Sequence, residues 1–259
     1  MKPSLAELMR FAVETAHDAG RLTLGYFQAG VRPEFKPDDS PVTVADRKAE
    51  ELIRRRIETR YPDHAIIGEE YGQTDRDSDF RWIVDPIDGT KAFVRGVPLY
   101  AVLIGLEIEG RCEVGAVYFP ALNDMIYAAS GEGCYWNGRP AHVAPTERLD
   151  RSYLAFTGAE NFARFGRLEV WQRLLQNCYH CVGWSDAYGY ALVATGRVEI
   201  MLDPVLNPYD CAPFPPILRE AGGYFGDWSG NETIYASEGL ATTRRLLRQV
   251  LEALNTRPR

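Results

Sequence analysis

The sequence predicts a layered α/β fold, mixed α+β in its layering, with two tightly packed halves, and three observations carry that expectation. Helical periodicity dominates the first 60 residues, a β-rich block follows over residues 80 to 130, and strand and helix signals alternate after about residue 145. The halves, about 1–145 and 146–259, are expected to pack as one domain, because no linker, internal repeat or low-complexity tract divides the 259 residues.

Each element has its own justification. Residues 4 to 29 place Leu5, Leu8, Met9, Ala12, Val13 and Ala16 at helical spacing, which predicts a long first helix. The following "GVRPEFKPDDSPVT" is rich in Pro, Gly and Asp and reads as a loop or loose hairpin. In "TVADRKAEELIRRRIETRYP" Thr43 caps a helix whose third residue is Asp46, Ala49, Leu52, Ile53 and Ile57 share a face, and Pro62 closes it. "FRWIVDP", "YAVLIGLEIEG" and "CEVGAVYFPALNDMIYAAS" are β-rich runs punctuated by Gly, Pro and Asn-Asp. Beyond them the expected order is a strand at "SYLAF", a helix near 163 to 177, a segment "DAYGYALVATG" at 186 to 196, a strand at 198 to 203, "YDCAPFPPILREAGG" at 209 to 223, a strand at "TIYAS", and a closing helix from about 240 to 254.

Composition narrows the function classes. A formal charge of −7 and a pI near 5.3 exclude the basic footprint of a nucleic-acid or membrane-surface binder. No run of 18 apolar residues is present and the N-terminus lacks a signal peptide's apolar stretch, so a cytoplasmic location and no membrane partner are expected. The cysteines, Cys112, Cys134, Cys178, Cys181 and Cys211, are odd in number and dispersed; buried thiols are favoured over a disulfide framework, and over zinc at the C-x-x-C of 178 to 181.

The chemistry lies in the acids. "WIVDPIDGT" (82 to 90) ends an apolar strand in Asp85 and Asp88, "IIGEEYG" (66 to 72) ends a second in Glu69-Glu70, and Asp210 opens a helix in "NPYDCAPF". These are the strand ends and helix starts at which α/β proteins bind ligands. Singly, each has a plain reading: a solvated turn for Glu69-Glu70, a cap for Asp210, a Pro-Asp-Gly turn for 85 to 89. Together, if they converge, carboxylates about 4 Å apart repel by roughly 4 kcal/mol per pair at an effective dielectric near 20. Bound cations would relieve this, and an all-oxygen set suits Mg²⁺ better than zinc. His17, His64, His142 and His180 show no ligand spacing. Gly89 lets backbone approach a ligand closely, and the N–H groups that follow it at a helix start suit an anion, so metal plus anion points to phosphate.

"GEE" at 68 to 70, "WIVDPIDGT" at 82 to 90, and "YD" at 209 to 210 ahead of "AGG" at 221 to 223 resemble, in order and over nearly the whole chain, the signature blocks of the inositol monophosphatase superfamily. These are Mg²⁺-dependent, lithium-sensitive phosphomonoesterases, and the resemblance implies an αβαβα sandwich, two or three Mg²⁺ ions and usually a homodimer. It implies that Glu69, Asp85, Asp88 and Asp210 ligate metal with the Ile87 carbonyl, and that Glu70 is a neighbouring acid or weak ligand. Asp46 and Thr90 would orient and deprotonate the attacking water, and the Gly89 and Thr90 amides would hold phosphate oxygens. On local sequence alone Asp46 reads equally as a capping acid. Direct hydrolysis by a metal-activated water fits these residue types, and no covalent phosphoenzyme is needed.

Within the superfamily, "DGTKAFVRGVPLY" and "WSDAYGYALVATGRVEIMLDP" are similar to the bacterial histidinol-phosphate phosphatase branch of histidine biosynthesis. Histidinol phosphate carries an ammonium and an imidazole, so Asp186 and Asp203 are candidate pocket acids beside Asp210, with Asn207 nearby in sequence. Tyr188 and Tyr190 read equally as site or core aromatics; Lys91 as a phosphate partner or surface residue, Arg95 as surface. Inositol-1-phosphate or another small sugar or nucleotide phosphate is the alternative substrate. A dimeric regulatory factor with vestigial activity is the alternative of another class.

Overall fold

The computed structural model describes residues 3–37, 39–183 and 186–255. Trp184 and Ser185, part of one stretch quoted above, and Asp38 of the expected hairpin lie outside the described residues. In chain order the first half contains α1 (Leu5–Leu24), β1 (Glu34–Phe35), β2 (Pro41–Val42), α2 (Val44–Arg60), β3 (Ala65–Gly68), β4 (Gly72–Gln73), β5 (Phe80–Asp88), α3 (Thr90–Val94), β6 (Ala101–Ile108), β7 (Arg111–Phe119), β8 (Asp124–Ala129), β9 (Gly133–Trp136) and β10 (Arg139–Pro140). Then follow β11 (Tyr153–Phe156), α4 (Ala159–Arg164), α5 (Leu168–Asn177), β12 (His180–Gly183), α6 (Ala187–Ala194), β13 (Ile200–Asp203), α7 (Pro208–Cys211), α8 (Phe214–Glu220), β14 (Gly223–Gly226), β15 (Gly239–Thr243) and α9 (Leu247–Asn255).

Two sheets organise the chain. The larger has strand order β10-β9-β8-β7-β6-β5-β3-β4 and is antiparallel except between β3 and β5. The smaller has order β12-β11-β13-β15-β14, with β11 parallel to both neighbours. Period-two alternation sends successive side chains to opposite faces. Val102, Ile104 and Leu106 of β6 therefore meet Leu8, Ala12 and Ala16 of α1 and Ile53 and Ile57 of α2, while Leu103 faces the other way. There it joins Ile83 and Val117 against Tyr190, Phe214 and Ile217 of α6 and α8, which also pack on Met201 and Phe225 of the small sheet. The outer face of that sheet, through Leu154, Ile200 and Leu202, packs on Phe162, Trp171, Val250 and Leu254 of α4, α5 and α9. The result is the expected α-β-α-β-α layering.

One close approach matters for the site. Gly105 and Gly115 face each other across β6 and β7. A Cβ at Gly105 would fall 2.6 Å from Ala212 Cβ, and one at Gly115 would fall 2.1 Å from the Pro213 carbonyl oxygen. Two glycines thus let the turn between α7 and α8 lie directly on the sheet, carrying Asp210 to the end of β5.

Several local expectations need correction. The first helix stops at Leu24, with Gly25 as its C-cap, and does not reach 29. The helix expected near 163 to 177 is two helices, parted where Gly166 takes a φ of +70°. "TIYAS" forms no strand, and the closing helix starts at Leu247 because residues 239–243 are recruited as β15 between β13 and β14. Pairing partners far along the chain decide both of those cases. No described helix is long and apolar enough to cross a membrane.

Candidate active site

The site is built around the end of β5. The register with β6 slips between Asp85, opposite Leu103, and Asp88, opposite Ala101, so three residues on β5 span what two span on β6. Pro86 has no N–H with which to continue the ladder there. Asp85 Oδ1 accepts from the Ile87 N–H at 2.9 Å, the self-capping turn that Asp favours. Asp88 Oδ2 accepts from the Ala187 N–H of α6 at 2.6 Å. Asp210 occupies the third position of α7, where its Oδ2 accepts from the Asn207 N–H at 2.8 Å and from Asn207 Nδ2 at 3.1 Å. These contacts bring a carboxylate oxygen of each of Asp85, Asp88 and Asp210 within 4.8 Å of one another.

The three acids line a cavity of about 260 Å³ together with Glu69, Ile87, Gly89, Thr90, Lys91, Asp186 and Asp203. Burial, followed by the fields of Glu69, Asp88 and Asp210, pushes the Asp85 carboxyl well above the usual carboxylate range. Burial and the nearby Asp186 and Asp210 do the same to Asp88, and burial raises Asp210 to about 7. Two buried carboxylates and a half-buried one, packed this closely, need a proton or a cation to offset their charge. The donors are all oxygen and converge on one point, so the residues fit Mg²⁺.

Lys36, which the sequence reading missed, reaches this cluster from the loop between β1 and β2. Its ammonium lies 2.9 Å from Glu69 Oε1 and 2.9 Å from Glu70 Oε1. Burial works against the charged lysine, but the bonds to Glu69 and Glu70 outweigh it and raise its pKa. Burial lifts Glu70 to about 7 even with Lys36 beside it. Glu69 thus shares the cavity with the three aspartates, and Glu70 turns to the lysine.

Behind the cavity wall, α2 begins with a capping box in which Thr43 and Asp46 bond reciprocally, with the Thr43 N–H 2.8 Å from Asp46 Oδ2. The other oxygen, Oδ1, stands 3.2 Å from Thr90 Oγ1. The Thr90 hydroxyl is also 3.1 Å from the Ile87 carbonyl, so its proton has two acceptors within reach. Asp46 is thus at once the cap of α2 and a hydrogen-bond partner of Thr90. Asp46 is fully buried, and burial raises its pKa.

On the far wall, Asp186 begins α6 at a φ of +43°. A Cβ on Gly89, itself at φ +80°, would fall 2.9 Å from Asp186 Oδ2, so only glycine admits that carboxylate. Asp203 accepts from the Tyr190 hydroxyl at 2.9 Å and is raised to about 7 by burial. Tyr190 is accordingly both core and site: its ring stacks on Phe214, and its hydroxyl holds Asp203. Tyr188 instead packs edge-on against Phe119 on the core side. Asn207 lines the cavity and also holds Asp210, since both of its nitrogens donate to that carboxylate. Lys91 lines the cavity and Arg95 is exposed. Thr157 and Asn161 also line it, and no local signal in the sequence marked them.

The comparisons with known proteins agree with this geometry. The inositol monophosphatase family profile matches residues 4–258. A histidinol-phosphatase of Chlorobaculum parvum is 40% identical over 92% of this chain and 93% of its own, and one of Mycobacterium tuberculosis is 36% identical over 95% and 97%. Among solved structures, the extragenic suppressor protein SuhB of Bartonella henselae superposes with a TM-score of 0.89 at 28% identity, covering 96% of this chain and 99% of that one. Signature blocks, layering and relatives converge, and the chain belongs to the inositol monophosphatase family as a phosphoric monoester hydrolase.

Proposed function

We propose that this protein is a Mg²⁺-dependent phosphatase acting on histidinol phosphate, with Glu69, Asp85, Asp88, Asp210 and the Ile87 carbonyl as the metal-holding set. The observation that supports this most is the meeting of Asp85, Asp88 and Asp210 within 4.8 Å, beside the Thr90–Asp46 pair. Bound Mg²⁺ would supply Lewis-acid polarisation of the phosphoryl group and a more acidic water. The chain's own residues do the rest. Asp46 holds the Thr90 hydroxyl so that its oxygen faces the cavity as an acceptor for the attacking water. The first-turn N–H groups from Gly89 onward, which no helical carbonyl can reach, face the phosphate oxygens.

Specificity is assigned to the opposite wall. Asp203 is buried and Asp186 half-buried in the same cavity, and an ammonium or imidazolium on the substrate would neutralise them. An uncharged polyol would leave them unpaired, at a cost on the order of 3 to 5 kcal/mol for a buried charge without its partner. The two histidinol-phosphatase relatives support the same reading. The likeness to SuhB keeps a regulatory role as the second reading. A homodimer is expected with either.

The test is phosphate release at millimolar Mg²⁺ from histidinol phosphate, inositol-1-phosphate, fructose-1,6-bisphosphate and 3′-phosphoadenosine 5′-phosphate. The highest kcat/KM is expected for histidinol phosphate. A higher value for any other ester overturns the specificity, and no release from any of them favours the regulatory reading.

A further inference from the structure

We propose that Glu50 is a positioning residue for the metal-facing turn at Glu69, so that helix α2 sets two parts of the site at once. This rests on reading Glu69 as a metal ligand. Glu50 lies one helical turn after Asp46 and is fully buried. Only residues 69 to 71 link β3 to β4. Two of the three backbone N–H groups in that link end on the Glu50 carboxylate: Glu70 N–H on Oε2 at 2.7 Å and Tyr71 N–H on Oε1 at 3.2 Å. The third, Glu69 N–H, reaches the Val84 carbonyl at 3.3 Å, on the strand that carries Asp85.

The surroundings are shaped to admit this carboxylate. A Cβ at Gly68 would lie 2.0 Å from Glu50 Oε1, so the glycine of "GEE" is the residue that leaves it room. Arg54, four residues on along α2, donates to Glu50 Oε1 at 2.7 Å and also to the Gly72 carbonyl, closing the far end of the link. The charge of the buried acid is thereby balanced, and both ends of the turn are tied to one helix. Asp46 and Glu50 are four residues apart on a single face, a rise of about 6 Å along the axis. A rigid helix therefore fixes the spacing between the Asp46–Thr90 pair and the Glu69 ligand. The capping role of Asp46 and the bracing role of Glu50 make α2 the common frame for both.

The test is Mn²⁺ binding to the full chain by calorimetry and by paramagnetic resonance, with melting temperatures measured in parallel. Glu50→Gln removes the charge, and Gly68→Ala displaces the carboxylate without changing any charge. Each is expected to weaken Mn²⁺ binding by roughly 10- to 100-fold, the usual effect of removing a group that orients a ligand. Turnover in each should recover at saturating metal, so the loss appears in the metal requirement and not in kcat. Glu51→Gln, which touches only the Tyr71 hydroxyl of the same turn, is expected to bind Mn²⁺ as wild type does. Unchanged Mn²⁺ affinity in folded Glu50→Gln, or in folded Gly68→Ala should the first variant not fold, overturns the proposal. Wild-type protein showing no Mn²⁺ binding that Asp88→Asn abolishes would instead overturn the underlying metal reading.

Discussion

Asp88→Asn should make the metal-free protein more stable while abolishing turnover. Asp85, Asp88 and Asp210 present oxygens within 4.8 Å of one another. At that distance and an effective dielectric of 20, each ionised pair repels by about 3.5 kcal/mol. Proton uptake caps the penalty, because the carboxyls are raised by burial and mutual repulsion and stay partly neutral. Asn keeps an acceptor for the Ala187 N–H but leaves an amide group facing the cavity, an offset of about 1 to 3 kcal/mol. A net gain of roughly 1 to 3 kcal/mol is expected, or roughly 3 to 10 °C in melting temperature for a chain of this size. The sign with pH follows from linkage: raised folded-state pKa values mean that the folded state holds more protons, so wild-type stability in EDTA falls as pH rises from about 4 to about 7. The variant's advantage should open over that window. Saturating Mg²⁺ should restore the wild type, by about 2.7 kcal/mol at 100 times its Kd, and leave the variant unmoved. The assay is thermal unfolding in EDTA and in Mg²⁺, paired with phosphate release. A variant that melts no higher than wild type in EDTA, keeps its Mg²⁺ shift and still turns over refutes the reasoning.

Asp46→Asn and Thr90→Val should each lower kcat by roughly 10²- to 10⁴-fold while retaining the Mg²⁺-induced melting shift, because the proposed function assigns both residues to the water and not to the metal; steady-state kinetics beside the unfolding assay checks this. His64 should show the opposite pH sign to the aspartates. Its Nδ1 accepts from Trp82 Nε1 at 3.0 Å and its ring stacks on Tyr61 and Phe80, so burial holds its pKa below the usual value. A depressed histidine contributes stability above the unfolded pKa of about 6.5 and loses it as pH falls below. In saturating Mg²⁺, the melting temperature of wild type should therefore drop more between pH 7 and pH 5 than that of His64→Gln, and equal drops would exclude this role.

What the sequence made legible was whatever is local. The Thr43–Asp46 capping box, the β5 run into Asp85 and Asp88, and the helix start at Asp210 are short-range patterns, and each is present. Strand recruitment was less visible, because β15 exists through its pairing with β13 and β14 and not through its own propensity. Lys36 was invisible for the same reason: its 33-residue separation from Glu69 carries no periodicity, and the loop that delivers it read only as Pro- and Asp-rich. Glu50 sits in a helix full of charges, with Glu51, Arg54, Arg55 and Arg56 as neighbours. Beyond the capping box that marks Asp46, nothing in the sequence distinguishes the buried Glu50 from the helix acids that face water.

The structural and chemical readings of the site acids turn out not to compete, because a carboxylate has two oxygens. Asp46 gives Oδ2 to its helix cap and Oδ1 to Thr90; Asp210 gives Oδ2 to Asn207; Asp88 gives Oδ2 to Ala187; Asp85 gives Oδ1 to Ile87. In each case a backbone N–H fixes the side-chain rotamer before any ligand arrives, so the second oxygen is held in place without further ordering. This is why turn and cap signals coincide with the site acids: the local motif aims the group. It also separates two kinds of substitution. Asn preserves the acceptor that the backbone uses and removes only the charge, whereas Ala removes both and loses about 1 kcal/mol of capping as well. The Asn and Ala series at 46, 85, 88 and 210 should therefore be equally inactive but differ in metal-free stability, with each Asn variant the more stable of its pair; Ala variants as stable as their Asn counterparts would show that the backbone bonds do not orient these acids.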